Sequence, residues 1–154
     1  MALKKARFVA ELQKYKKLGL DGSIAIYHLE DIEPYSDLTE VIFAAIARGS
    51  LSAVWSTISV TELLAKPFAD SRMDRVTACE QFIQSFTGAP VIAPNYGIAK
   101  EAARLRGAHR LRTPDALLVA TALKENADAF ITNDARLRRL KTEGIAIVIL
   151  QDYV

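Results

Sequence analysis

The sequence predicts an α/β fold: a three-layer α/β/α domain with a central, mainly parallel sheet, plus an extra N-terminal helix. Three observations carry that expectation. Strand-like and helix-like segments alternate over most of the chain, the pattern of successive βα units. Two strand segments, "AFIT" at 129–132 and "IAIVIL" at 145–150, are continuous apolar runs suited to burial on both faces. No repeat, low-complexity stretch or Pro/Gly/Ser-rich linker divides the 154 residues, a length that suits one domain with a sizeable core.

In chain order, residues 2–16 read as a helix with Phe8, Val9, Leu12 and Tyr15 on one stripe. Residues 17–21 form a weak strand candidate. Residues 23–29 and 37–47 read as helices, the second stopped by Gly49. A strand at 53–57 leads to a helix from about Val60. An apolar-faced helix at 74–86 ends near Gly88, and a short strand follows at 91–93. Residues 96–106 are helical. Thr113 as N-cap and Pro114 in the first turn open a helix over 116–125. A strand at 129–132, a helix at 135–141 and a strand at 145–150 complete the chain. The organisation expected is a basic helix, residues 1–16, packed on a domain spanning 17–154.

Composition narrows the function classes. Apolar residues make up 51% and charged residues 25%, ordinary for a globular protein. The single Cys79 excludes an internal disulfide framework and a Cys-rich zinc site. With His28 and His109 the only imidazoles, a histidine-built zinc centre is not expected either. No apolar run approaches the roughly 18 residues of a membrane span. The N-terminal segment lacks the apolar stretch of a secretory signal, so the expected location is the cytoplasm. The net charge of +2 hides an asymmetry: six cations (Lys4, Lys5, Arg7, Lys14, Lys16, Lys17) face one acid, Glu11, in the first 20 residues, a net +5 that leaves −3 for the rest. Such a segment either binds nucleic acid or is the solvated face of a helix.

The function-bearing pattern lies in four acids. In a βα unit the helix runs antiparallel to the strands, so helix starts and strand ends share one edge of the sheet. Asp115 stands at the start of a helix and Asp134 just after the next strand. Asp21 ends the first strand candidate, and Glu62 lies near the start of the helix after the second. Carboxylates crowded at one edge need a cation or protons to offset their repulsion. A hard divalent ion takes oxygen ligands and can activate water and clamp a phosphodiester for in-line attack. Each acid also has an ordinary structural explanation. Asp115 suits the helix dipole, Ser59 to Glu62 matches a capping box, Asp134 suits an N-cap, and Asp21 before Gly22 suits a turn. On the residues alone both explanations stand.

Four stretches resemble the motifs of the PIN domain family, in particular its VapC-type toxin ribonucleases. "LDGSIAIYHLE" is similar to the family's opening strand–aspartate–helix motif, "ISVTELLAKP" to its glutamate helix, and "TPDALLVATALKENADAFITNDARL" to its third and fourth acidic motifs. The resemblance covers about residues 17–150. It implies a PIN-like α/β/α nuclease domain that cleaves RNA phosphodiesters with Mg²⁺ or Mn²⁺, leaving 5′-phosphate and 3′-hydroxyl ends. It implies Asp21, Asp115 and Asp134 as metal ligands, Glu62 as a further catalytic acid, Thr132 as a helper that holds water or a carboxylate, and Ser23 as a supporting hydroxyl. It also implies a homodimer and an antitoxin that occupies the acidic groove. Arg112, Arg136 and Arg138 lie close enough in sequence to contact RNA phosphates. Two features depart from the family pattern: the first strand is "KKLGL" behind a basic helix, and Gly22 stands where threonine is common.

The alternative function is a catalytically silent PIN-like module that binds RNA or regulates through its basic surface. A receiver domain or an aspartate-nucleophile phosphatase fits less well. The phosphatase pattern needs an acid two residues after the first aspartate, where this chain has Ser23. The receiver needs a lysine after a late strand, where this chain has Asn133 and Gln151.

Overall fold

The structure, a computed structural model, describes residues 2–154. Among these residues five short strands, β1 (Lys17–Leu20), β2 (Ser52–Ser56), β3 (Val91–Ile92), β4 (Ala129–Thr132) and β5 (Ala146–Ile149), pair in parallel in the order β3-β2-β1-β4-β5. The helices are α1 (Ala2–Leu12), α2 (Gly22–Leu29), α3 (Ser36–Ala47), α4 (Thr57–Ala69), α5 (Met73–Gln84), α6 (Tyr96–His109) and α7 (Thr113–Lys124), with 3₁₀ turns at Ala135–Glu143 and Leu150–Tyr153. One core cluster joins α1, α2, α3 and α5 to Leu18, Leu20 and Ile131. A second joins α6, α7 and the first 3₁₀ turn to Phe130. Phe130 and Ile131 serve opposite clusters because successive strand residues face opposite ways. The three-layer α/β/α arrangement and the parallel sheet are those the sequence predicts.

The strand that reads weakest is the central one. β1 pairs with β2 on one side and β4 on the other, and its Gly19 explains both its poor signal and its place. A Cβ at Gly19 would stand 2.5 Å from Cβ of Ala122, so the missing side chain lets α7 lie directly on the sheet. Gly19→Ala is expected to destabilise the fold by about 1–3 kcal/mol through overpacking, read as a lower urea midpoint at unchanged m-value. An unchanged midpoint would show that this contact relaxes freely.

Several local expectations shift, each for a visible reason. α1 ends at Leu12 rather than 16, and it buries Phe8 and Leu12 while Val9 is exposed. α4 begins at Thr57 rather than near Val60, because the Ser56 hydroxyl at the strand end accepts the Ile58 N–H (3.2 Å) and starts the helix without a loop. Ser59 is therefore inside the helix and fully buried, so the capping box with Glu62 does not form. α7 is entered through Arg112 rather than Thr113, since the Ala116 N–H bonds to the Arg112 carbonyl (3.0 Å). Residues 135–141 form a 3₁₀ turn rather than an α-helix: Leu137 and Leu140 both bury, three residues apart, and a three-residue turn aligns them on one face. A closing 3₁₀ turn, Leu150–Tyr153, follows β5. α1 straps it down, with Phe8 edge-on to Tyr153 (ring centroids 5.2 Å apart) and the Arg7 guanidinium over the same ring.

This topology positions the site. From β1 the chain runs to β2 and β3 on one side, while β4 and β5 fill the other. The order reverses between β1 and β4, and ligands of open α/β sheets lie outside the carboxyl ends of the strands at such a switch point.

Candidate functional site

Asp21 and Asp134 follow the two strands that flank the switch point. The register that sets Leu20 beside Ile131 makes Asp21 and Thr132 the next neighbours. The fully buried Thr132 hydroxyl donates to Asp21 Oδ2 (2.6 Å) and its Oγ1 accepts the Asp134 N–H (3.1 Å). One side chain thus fixes both segments. Asp21 also caps α2, weakly, through the Ser23 N–H at 3.4 Å. Asp134 caps the 3₁₀ turn by accepting the Arg136 N–H (3.0 Å). Asp115 lies in the first turn of α7. The ordinary explanations for Asp21, Asp115 and Asp134 therefore describe real contacts, yet these coexist with convergence.

Glu62 has no capping role to explain it. It lies in the second turn of α4, and a Cβ at Gly22 would meet its Oε2 at 2.5 Å. Gly22, the departure from the resembled motif, is what lets this carboxylate rest against the start of α2. The hydroxyls of Ser23 and Ser59 nearby are buried without a hydrogen-bond partner.

The electrostatics show the acids sensing one another. Burial raises Asp21 above the usual carboxylate range; the Thr132 and Ser23 hydrogen bonds oppose this, and the charges of Asp115 and Asp134 add to it. Glu62 is pushed up to about 7, first by desolvation and then by Asp21 and Asp115, against Arg112. Glu62 as a residue is exposed, so water screens part of that shift; its direction follows from two acidic neighbours and the backbone against its Oε2. Asp134 is held below its usual range by the Arg136 hydrogen bonds.

Four arginines rim this edge. Arg110, Arg112, Arg136 and Arg139 line a pocket of about 50 Å³ with Asp115 and Asp134. Arg112 Nε pairs with Asp115 (3.1 Å) and Arg136 Nη2 with Asp134 (2.6 Å). Arg138, a sequence candidate for phosphate contact, is not in this lining: it pairs with Asp152 at 2.7 Å. Arg110 and Arg139 were missed. The signal for Arg139 was its spacing from Arg136, because three residues complete one turn of a 3₁₀ helix.

The donor chemistry fits a hard divalent cation. All four acids offer oxygen, and Asp21 and Glu62 hold charge that the protein disfavours. Among the described residues no three His, Cys, Asp or Glu side chains stand close enough to grip one ion. Asp115 and Asp134 are instead engaged by Arg112 and Arg136, pairs that solvent-exposed arginines exchange readily.

The acids make a pH prediction. Folded Glu62 keeps its proton to about 7 against 4.5 for the ordinary group, so its contribution to stability is full below pH 4.5 and is lost as pH rises through about 7. Asp21 acts in the same direction. Melts in EDTA from pH 5 to 8 are expected to fall with pH in wild type and less in Glu62→Gln. Parallel curves would place Glu62 in an ordinary solvated setting.

The model of the PIN domain family matches residues 19–143 of the sequence. The chain belongs to the PIN domain family. No curated protein matched the sequence. Among solved structures, this PIN domain is similar to a chain of the VapBC2 complex of Rickettsia felis, bound to a DNA fragment from its promoter, with TM-score 0.66 and 16% identity over 85% of this chain and 96% of that one. It is similar to a chain of VapBC-1 from nontypeable Haemophilus influenzae, with TM-score 0.66, 19% identity and coverage of 88% and 98%. It is also similar to a chain of FitAcB from Neisseria gonorrhoeae, with TM-score 0.65, 17% identity and coverage of 88% and 98%. At these identities the likeness is one of fold. Among the described residues no helix of this PIN domain is long and apolar enough to cross a membrane.

Proposed function

We propose that this PIN domain is an endoribonuclease dependent on Mg²⁺ or Mn²⁺. The observation that carries the reading is that four acids from separate segments lie within electrostatic reach at the carboxyl edge of the sheet: Asp115 and Asp134 raise Asp21, and Asp21 and Asp115 raise Glu62. Asp21, Asp115 and Asp134 would hold the cation, with Thr132 setting the geometry of Asp21 and Asp134. A cation there supplies water activation and charge neutralisation on the phosphodiester. Glu62, whose proton affinity is raised toward neutrality, is suited to take the proton of the attacking water. Arg112 and Arg136 exchange partners as substrate enters: their guanidinium groups leave Asp115 and Asp134 and turn to phosphate oxygens. With the 3′ oxygen as the leaving group, as the resemblance to the family implies, hydrolysis would give 5′-phosphate and 3′-hydroxyl ends.

The wider setting proposed is the toxin of a VapBC-type pair, acting as a cytoplasmic homodimer with an antitoxin partner. The fold likeness to chains of VapBC complexes supports it. The test is cleavage of single-stranded RNA by wild type and Asp115→Asn, with added Mg²⁺, Mn²⁺ or EDTA. A second reading, a silent RNA-binding module, draws on one observation: Asp115 and Asp134 already carry arginine partners. That module would bind RNA equally well in EDTA and leave it intact in every condition.

A further inference from the structure

The two arginines of the rim that hold no carboxylate point to a second element of the site. Arg112 and Arg136 are occupied by Asp115 and Asp134. Among the described residues, no acid pairs with Arg110 or Arg139, and neither guanidinium has a hydrogen-bond acceptor in the protein. Both line the pocket of about 50 Å³ beside the two aspartates. With four guanidinium groups against two carboxylates, the pocket has a positive excess. Its floor is Leu111 and Leu137, both buried, which hold the arginine-bearing segments in place.

The backbone turn that ends α6 carries the chain at Arg110 into the pocket wall. Arg110 ends α6 in the left-handed region, φ 54° and ψ 43°. Glycine or asparagine is the usual residue in that conformation, because a side chain with a Cβ is disfavoured. Arg139 is brought to the same pocket by the 3₁₀ geometry, which stacks it over Arg136 one turn earlier.

We propose that Arg110 and Arg139 form an anion subsite that takes one backbone phosphate of single-stranded RNA, adjacent to the phosphodiester held at the acids. The choice of RNA as occupant rests on the nuclease reading above. The lining argues for a single phosphate: two unpaired guanidinium groups lie in one small pocket beside Asp115 and Asp134, with no aromatic side chain for a base to stack on. The chemistry argues for a phosphate oxygen pair, which the planar guanidinium fork matches. A phosphate seated here fixes the register of the strand, so that its neighbour, rather than any phosphate at random, lies over Asp21, Glu62 and Asp115. The subsite is sequence-neutral, since it contacts backbone and no base edge.

The test is binding of a fluorescently labelled single-stranded RNA, in EDTA, over a range of salt concentrations. Wild type is compared with Arg110→Ala, Arg139→Ala, the double variant, and Arg138→Ala as a control, since that arginine lies outside the pocket lining. Loss of one phosphate contact lowers the slope of log affinity against log salt by roughly 0.7 for a single strand. The double variant is expected to show that drop, each single variant part of it, and the control none. Arg110→Lys with Arg139→Lys should keep the slope but bind more weakly, because charge survives and the fork does not. Inorganic phosphate as competitor should displace the labelled RNA less effectively from the double variant than from wild type. A double variant with the wild-type slope and affinity overturns the subsite. Displacement by phosphate that responds to the substitutions while RNA affinity does not would assign the pocket to a free anion and also overturns it. The two readings separate cleanly. Metal-dependent cleavage lost in Asp115→Asn, with unaltered RNA binding in the double variant, sinks the subsite and keeps the nuclease. A slope change without cleavage by wild type in any divalent ion sinks the nuclease and keeps the subsite.

Discussion

Asp115→Asn is expected to lower the rate of RNA cleavage by about a hundredfold or more, the scale set by removing a group that stabilises charge in the reaction. Its effect on folding is expected to be small. Asn preserves the volume of the side chain, and the loss is limited to a favourable helix-dipole interaction and one exposed ion pair with Arg112. RNA binding should survive or tighten, because the substitution removes a negative charge and frees the Arg112 guanidinium for phosphate. Cleavage rate and binding are therefore expected to move apart. A variant that cleaves at the wild-type rate would refute the assignment of Asp115 to the chemistry. A variant that loses cleavage and unfolds with it would call for Glu62→Gln, whose helix is begun by Ser56 rather than by the acid itself.

Mn²⁺ is expected to raise the melting temperature of the wild type. At about 100 times its dissociation constant a ligand adds about 2.7 kcal/mol, a rise of roughly 5–11 °C for a chain of this size. One feature makes the effect large. Asp21 and Glu62 are charges the folded protein disfavours on its own, so a cation relieves repulsion as well as forming bonds. The opposing cost is the release of Arg112 from Asp115 and Arg136 from Asp134. Binding should also release protons as Glu62 ionises, seen in calorimetry as an enthalpy that depends on the buffer. Asp115→Asn should lose most of the rise. No rise in wild type, with or without RNA, would favour the silent binding module.

How much of the site was legible in the sequence follows from how local each signal is. The acids at Asp115 and Asp134 bracket one helix and one strand, so counting rise per residue along α7 and β4 brings them to the same edge. Asp21 and Glu62 depend on where the first two strands sit, and "KKLGL" gives little sign that β1 is central. Its apolar pattern is broken by Gly19, which is invisible as a strand former and decisive as a packing surface for Ala122. The capping-box reading of Glu62 failed because Ser56, at the end of β2, captured the helix start three residues early. The choice of Arg136 for the rim followed from proximity in sequence. The distinction between Arg138 and Arg139 required knowing that the turn has three residues rather than 3.6, which is set by burial of Leu137 and Leu140 and by no local propensity.

The sequence by itself determined the α/β alternation, the apolar strands, and the presence of four acids at strand ends and helix starts with neither Cys nor His beside them, because periodicity and side-chain chemistry are properties of short segments. The tertiary structure alone decided that β1 lies between β2 and β4, that Thr132 ties Asp21 to Asp134, that Gly22 makes room for Glu62, and which arginines face the acids. Those are contacts between residues far apart in the chain, fixed by strand order and close packing, and no segment read in isolation contains them.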